Sequence, residues 1–225
     1  MTADPTQHRR AGVLLHLTSL PDSPGNGDLG AAARWFVDWL AEAGFSVWQM
    51  LPLGPTHADG SPYQTLSVHA GDPRLVDVEA LVEAGWLDRR PPPATADEAE
   101  SWREECRRAA FQGFQRQADD GLRHELAEFR QKHRGWLEDF ALYSALREEQ
   151  GGAPWWEWPV AERDREDGAM AAAGERLQAA VERVVFEQFC FFRQWGALRH
   201  YAAERGVALF GDMPIFVALD SADVW

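Results

Sequence analysis

Apolar positions along the chain switch between two periods. Ala11–Leu17 (AGVLLHL) and Ser46–Leu53 are short, nearly continuous apolar runs ended by Pro, Gly and Ser, the pattern of strands buried on both faces. Between them Phe36, Trp39, Leu40 and Ala43 recur at helical spacing, predicting a helix over Ala31–Ala43 with Asp28 as its N-cap and Gly44 as its stop. The first strand leaves through a turn-rich loop that includes Asp22 and Ser23. Strand, helix and strand within about forty residues is a βαβ unit, which implies parallel pairing in a buried sheet.

Beyond Gln64 the period changes. Gly71–Pro73 reads as a turn, Leu75, Val76 and Val78 as a short extended piece, and Val78–Ala84 as a short helix closed by Gly85. After the stiff run Pro91–Pro93, the stretch from about Ala96 to Gln150 is charged and helical. Phe111, Phe114, Ala118 and Leu122 share one face, and Trp136, Phe140, Tyr143 and Leu146 or Arg147 another. An aromatic loop, Gly151–Pro159, follows. A long helix is predicted over Gly174–Glu204, ended by Gly206, and then a third strand, Val207–Phe210, ending near Asp212 because Pro214 limits it. Asp220–Trp225 resembles the start of another capped segment, with a helix expected past it. The expected organisation is residues 1–77 with strands 1 and 2, a helical insertion over 78–173, and a helix with strand 3 over 174–225.

Composition narrows the function. A net charge of −14, with arginines interspersed among carboxylates, argues against a nucleic-acid partner. Lys132 is the sole lysine, a compositional habit without mechanistic content. Cys106 and Cys190 lack metal-ligand or CxxC spacing and read as free thiols, so a reducing, cytoplasmic location is expected. The N-terminus lacks a signal-peptide pattern, and no stretch approaches the roughly 20 apolar residues of a membrane span. The 11 tryptophans suit sugar stacking, but Trp is also a large core residue.

Candidate chemistry gathers at the predicted C-terminal strand ends, where loops of parallel α/β folds bind ligands. The stretch Trp48–Gln64 passes from strand to a polar loop holding Tyr63, and Asp212 lies at the end of strand 3. These two residues are expected to face one cavity. Each also has a bland reading: Asp212 as a brace for a neighbouring loop, Tyr63 as a lid over the core. His16 is either a substrate hydrogen-bonding group or a satisfied core residue. His57 and His69, near Asp59 and Asp72, match no common metal spacing, and the acidic runs Glu98–Glu105 and Glu162–Asp167 read as solvated faces. No GxGxxG, GxSxG, HExxH or phosphate loop is present. No metal or cofactor is expected.

Several strings are collinear with one family: GVLLHLTSLP (Gly12–Pro21), GNGDLG (Gly25–Gly30), WQMLPLGPT (Trp48–Thr56), SPYQ (Ser61–Gln64), APWWEWP (Ala153–Pro159), FFRQWGALRHYA (Phe191–Ala202) and GDMPIFVALDSADVW (Gly211–Trp225). In order and spacing they resemble the N-terminal part of the 4-α-glucanotransferases, or amylomaltases. Leu17, Asp72 and Trp156 depart from the family pattern, which usually has proline, asparagine and a smaller polar residue there. The resemblance implies an α/β fold, the (β/α)8 TIM barrel of the α-amylase clan, with only the first three strands present and a large helical insertion between strands 2 and 3. It implies transfer of α-1,4-glucan segments between maltooligosaccharides by a retaining mechanism. It also implies substrate-binding roles for Tyr63 and Asp212. The family's nucleophile and acid/base come from later strands, so no residue of this chain is matched to a catalytic carboxylate. An isolated chain of this extent is expected to be inactive and poorly folded. The alternatives are a truncated, non-catalytic glucan-binding paralogue using Tyr63 and the Trp155–Trp158 loop, and an unrelated acidic helical scaffold.

Overall fold

The structure, a computed structural model, describes residues 9–21, 24–95 and 97–225; the expected turn positions Asp22 and Ser23, and Ala96, lie outside the described residues. Three strands, β1 (Gly12–Leu14), β2 (Val47–Gln49) and β3 (Ala208–Phe210), form a parallel sheet in the order β1-β2-β3. Val13 pairs with Trp48 and Trp48 with Leu209, which sets the register. Parallel strands at all three positions exclude the helical-scaffold reading. A Cβ on Gly12 would meet the Val47 Cβ at 2.7 Å and its carbonyl oxygen at 2.8 Å, so glycine is what lets β1 approach β2.

Each strand is shorter than its apolar run. Leu15 N–H still donates to the Gln49 carbonyl, and Met50 N–H to that of Phe210, both at the ladder's ends. Beyond them Leu17–Ser19 winds into a 3₁₀ turn and Pro52 cannot donate, so the remaining apolar residues continue as loop, with Leu17 buried and Leu51 and Leu53 half-buried. Likewise β3 stops at Phe210, before Asp212.

Helix α1 (Ala31–Glu42) buries Ala32, Ala33, Phe36, Val37 and Leu40. Its N-cap is Gly30 and not Asp28. Asp28 Oδ1 accepts from Gly30 N–H at 2.9 Å, while Oδ2 is drawn to the guanidinium of Arg103, also at 2.9 Å. Gly44, at φ 81°, ends the helix as expected. The predicted extended piece is replaced by a 3₁₀ turn at Pro73–Leu75, capped by Asp72, and by α2 (Val78–Glu83), capped by Asp77.

The insertion comprises α3 (Ala99–Gln117) and α4 (Asp120–Glu149), followed by α5 (Val160–Arg163) and α6 (Asp167–Arg176). Asp119 Oδ1 accepts from Leu122 N–H at 2.8 Å and so starts a new helix. The expected Phe111–Leu122 face is therefore split between two helices, although both halves reach one core. The predicted long helix divides as well: Leu177 separates α6, which contains Gly174, from α7 (Gln178–Glu204).

Trp48 is fully buried, edge-on to Phe36 at 4.9 Å, and its indole N–H donates to the Leu15 carbonyl at 2.7 Å. Phe186 of α7 meets Trp86, Phe111 and Phe114, so one core joins sheet, insertion and α7. Among the described residues the outer edge of β3 is unpaired, and Phe210 within it and Ile215 and Phe216 after it are exposed. Among the described residues, no helix is long and apolar enough to cross a membrane.

Candidate functional site

The loop after β2 is built largely by its own backbone. Thr56 and Thr65 form an antiparallel bridge, Leu66 N–H donates to the Pro55 carbonyl at 2.8 Å, and Gly60 takes φ 71° at the tip. Arg74 fastens the loop's base: its Nη2 donates to Thr56 Oγ1 at 2.6 Å and its guanidinium pairs with Asp72, at 2.6 Å for the closest contact. Asp72 N–H in turn donates to the Leu53 carbonyl at 2.8 Å. From behind, Gln188 of α7 bonds both N–H and C=O of Gly71, each at 2.8 Å.

This frame presents Tyr63, which is 47% exposed. Its hydroxyl donates to Asp212 Oδ2 at 2.8 Å, across a gap of 149 residues. Accepting that bond, Asp212 raises the Tyr63 hydroxyl above the ordinary phenol value, so it stays protonated and able to donate. Asp212 Oδ1 accepts from Met213 N–H at 2.8 Å.

Two cavities flank Leu51–Gly54. One, of about 240 Å³, is lined by Met50, Leu53, His69, Phe192 and Asp212. The other, of about 380 Å³, is lined by His16, Asn26, Thr56, Pro62, Asp72 and Arg74. Tyr63 lines neither and reaches the first only through its bond to Asp212, so the expected single shared cavity is replaced by a direct contact. His16 faces the second cavity with Nδ1 buried and without a hydrogen-bond partner among the described residues. Burial lowers its pKa against the opposing pull of Asp72, which keeps the ring neutral at physiological pH.

His57 and His69 go to different partners. His57 Nδ1 lies 3.8 Å from Asp220, and His69 stacks on Trp136 at 6.0 Å. Among the described residues no cluster of three or more His, Cys, Asp or Glu is arranged to hold a metal ion. The aromatic loop forms a 3₁₀ turn at Trp155–Glu157 that leaves Trp156 41% exposed and buries Trp158.

Residues 15–225 match the glycoside hydrolase family 77 profile, described as 4-alpha-glucanotransferase. The chain belongs to this family. It is 44% identical over 222 residues to the 4-alpha-glucanotransferase of Thermus thermophilus and 42% identical over 226 residues to that of Synechocystis sp.. Each alignment covers 96% of this chain but only 44% and 45% of the relative, so the chain spans less than half their length. The amylomaltase from Streptococcus agalactiae, solved in complex with acarbose, superposes with a TM-score of 0.87 at 33% identity, covering 96% of this chain and 46% of that one. As a 4-alpha-glucanotransferase family member, the chain carries its three strands and insertion as part of a (β/α) barrel.

The strongest contacts at the site escape pattern reading. Arg74, Gln188 and Arg147 come from three separate elements and Asp220 and Asp223 from the segment after β3, and of these only Asp220 and Asp223 fall within a collinear string.

Proposed function

We propose that this chain forms one wall of the α-1,4-glucan cleft of a cytoplasmic 4-alpha-glucanotransferase, with Tyr63 and Asp212 as substrate-binding residues. The observation that supports it is the Tyr63–Asp212 hydrogen bond at the C-terminal ends of β2 and β3, in a member of this family. The reaction is retaining transfer between maltooligosaccharides. One carboxylate attacks the anomeric carbon, a protonated carboxyl about 5 Å away assists the leaving sugar, and a second glucan's hydroxyl intercepts the glycosyl-enzyme. Those carboxylates lie outside this chain, which supplies binding and orientation. Residues 1–77 and 174–225 contribute barrel structure and residues 78–173 an inserted helical subdomain. Cys106 and Cys190, both buried and unpaired, accord with a reducing compartment.

On this reading the purified chain leaves maltotriose unchanged, followed by chromatography of the products. A ladder of longer glucans with free glucose would show that the reacting groups are present here after all. A truncated, non-catalytic glucan-binding paralogue is the second reading, favoured by the exposure of Tyr63 and Trp156. The coding sequence past the Trp225 codon separates the two: an open frame with an aspartate and then a glutamate at the next strand ends supports the transferase, and a stop codon supports the paralogue.

A further inference from the structure

The segment after β3, residues 211–225, binds the Tyr63 loop on one side and the inserted helices on the other. On the loop side, Asp212 accepts from Tyr63, Ala222 N–H donates to the Leu66 carbonyl at 2.9 Å, and Asp223 accepts from Val68 N–H at 2.8 Å and Ser67 Oγ at 3.2 Å. On the insertion side, Asp220 accepts from the hydroxyl of fully buried Tyr143 at 2.9 Å, from Arg147 Nη1 at 2.6 Å and from Trp155 N–H at 3.4 Å. Trp155 Nε1 donates to the Leu219 carbonyl at 2.8 Å. Trp225 packs against Tyr143 and Trp158 at 5.7 and 5.4 Å.

Asp220 also lies 3.8 Å from His57 of the Tyr63 loop, so its carboxylate meets both aromatic elements. Trp155 stands edge-on to the exposed Trp156 at 5.8 Å, which makes Trp155 the link between Asp220 and the exposed indole. Stacking of sugar rings on two aromatic groups depends on their separation, and here that separation runs through one carboxylate.

Resting on the glucan-cleft reading, we propose that Asp220 is a positioning residue that sets the Trp155–Trp156 loop against the Tyr63 loop for binding α-1,4-linked glucans. Its charge is satisfied by an arginine and a buried phenol, so it holds a fixed rotamer and its backbone-bound neighbour Trp155 with it. Removing the charge frees Arg147 and leaves the loop held by fewer bonds, while the distant core is untouched.

The test is maltoheptaose binding by calorimetry to the complete barrel protein that carries these 225 residues and to three variants of it. Asp220→Asn and Tyr143→Phe each loosen the carboxylate's contacts. Asp38→Asn breaks a comparable contact between α1 and α7, where Asp38 accepts from Tyr201 and Arg205. The expected result is affinity reduced about tenfold (about 1.4 kcal/mol) in Asp220→Asn and to a lesser degree in Tyr143→Phe, with Asp38→Asn binding like the parent. Near-ultraviolet circular dichroism of the tryptophans is expected to change in the first two. Parental affinity in both Asp220→Asn and Tyr143→Phe overturns the proposal and leaves the glucan reading standing, as does an equal loss in Asp38→Asn. If the parent itself binds no maltoheptaose, the glucan reading falls and the proposal with it. Should Asp220→Asn fail to fold, Tyr143→Phe decides by the same criteria.

Discussion

Asp28 and Asp212 each hold a partner distant in sequence, in opposite surroundings. Asp28 is 3% exposed and pairs with Arg103, which is 1% exposed and also donates to the carbonyls of Pro24, Asn26, Arg74 and Val76. Asp212 and Tyr63 meet in the open, with one hydrogen bond between them and, among the described residues, no cation paired with Asp212. In the first region every guanidinium nitrogen is used internally, which is what a charge removed from water requires. In the second, solvent already competes with the bond, so a sugar hydroxyl can exchange with it at small cost. The difference separates a group that holds the loops together from a group that remains available to a ligand.

Arg103→Met offers the severest test of that contrast. It removes one partner of the buried Asp28 carboxylate and the donor to four carbonyls, and a loss of about 3–5 kcal/mol in urea unfolding is expected. A loss below about 1 kcal/mol would mean that the buried pair is not structural.

A smaller effect belongs to Asp77, the N-cap of α2. Burial, then the nearby Asp28 charge, raises its pKa from 3.8 to about 6. The folded state therefore binds a proton more tightly than the unfolded chain. Stability conferred by that proton is present below about pH 4 and is lost as pH rises through about 6. Asp77→Asn keeps the cap and removes the charge, so it is expected to stabilise by on the order of 1 kcal/mol at pH 7.5 and by much less at pH 4, as read from thermal melts. Equal effects at both values would contradict the shift.

Tyr63→Phe closes the series. Loss of an exposed hydrogen bond should change stability by less than about 0.5 kcal/mol, while maltoheptaose affinity falls a few-fold. A stability loss comparable with that of Arg103→Met would place Tyr63 among the structural contacts.

Much of this frame is legible in the residues. The three apolar runs, Gly44 and Gly206 as stops, and the helical face Phe140–Tyr143–Leu146 all appear where periodicity puts them. The errors have two causes. Asp28 has the right chemistry for an N-cap but lies within reach of a buried guanidinium, and a charge-assisted bond outcompetes a cap. Asp119 and Leu177 interrupt helices whose apolar spacing continues across the break, because packing on one core tolerates a change of axis. At the site, Tyr63 and Asp212 were visible as strand-end residues, whereas Arg74 belongs to no local pattern and Asp220, read as the start of a capped segment, has partners that no local pattern names.

The sequence by itself determined the family, the parallel strands and their approximate places, because hydrophobic period and collinear motifs are local properties of the chain. Only the tertiary structure decided which carboxylate meets which donor: Asp28 with Arg103, Asp212 with Tyr63, Asp220 with Arg147 and Tyr143. Those pairings depend on distances between residues far apart in the chain, and such distances are set by how the sheet and helices pack.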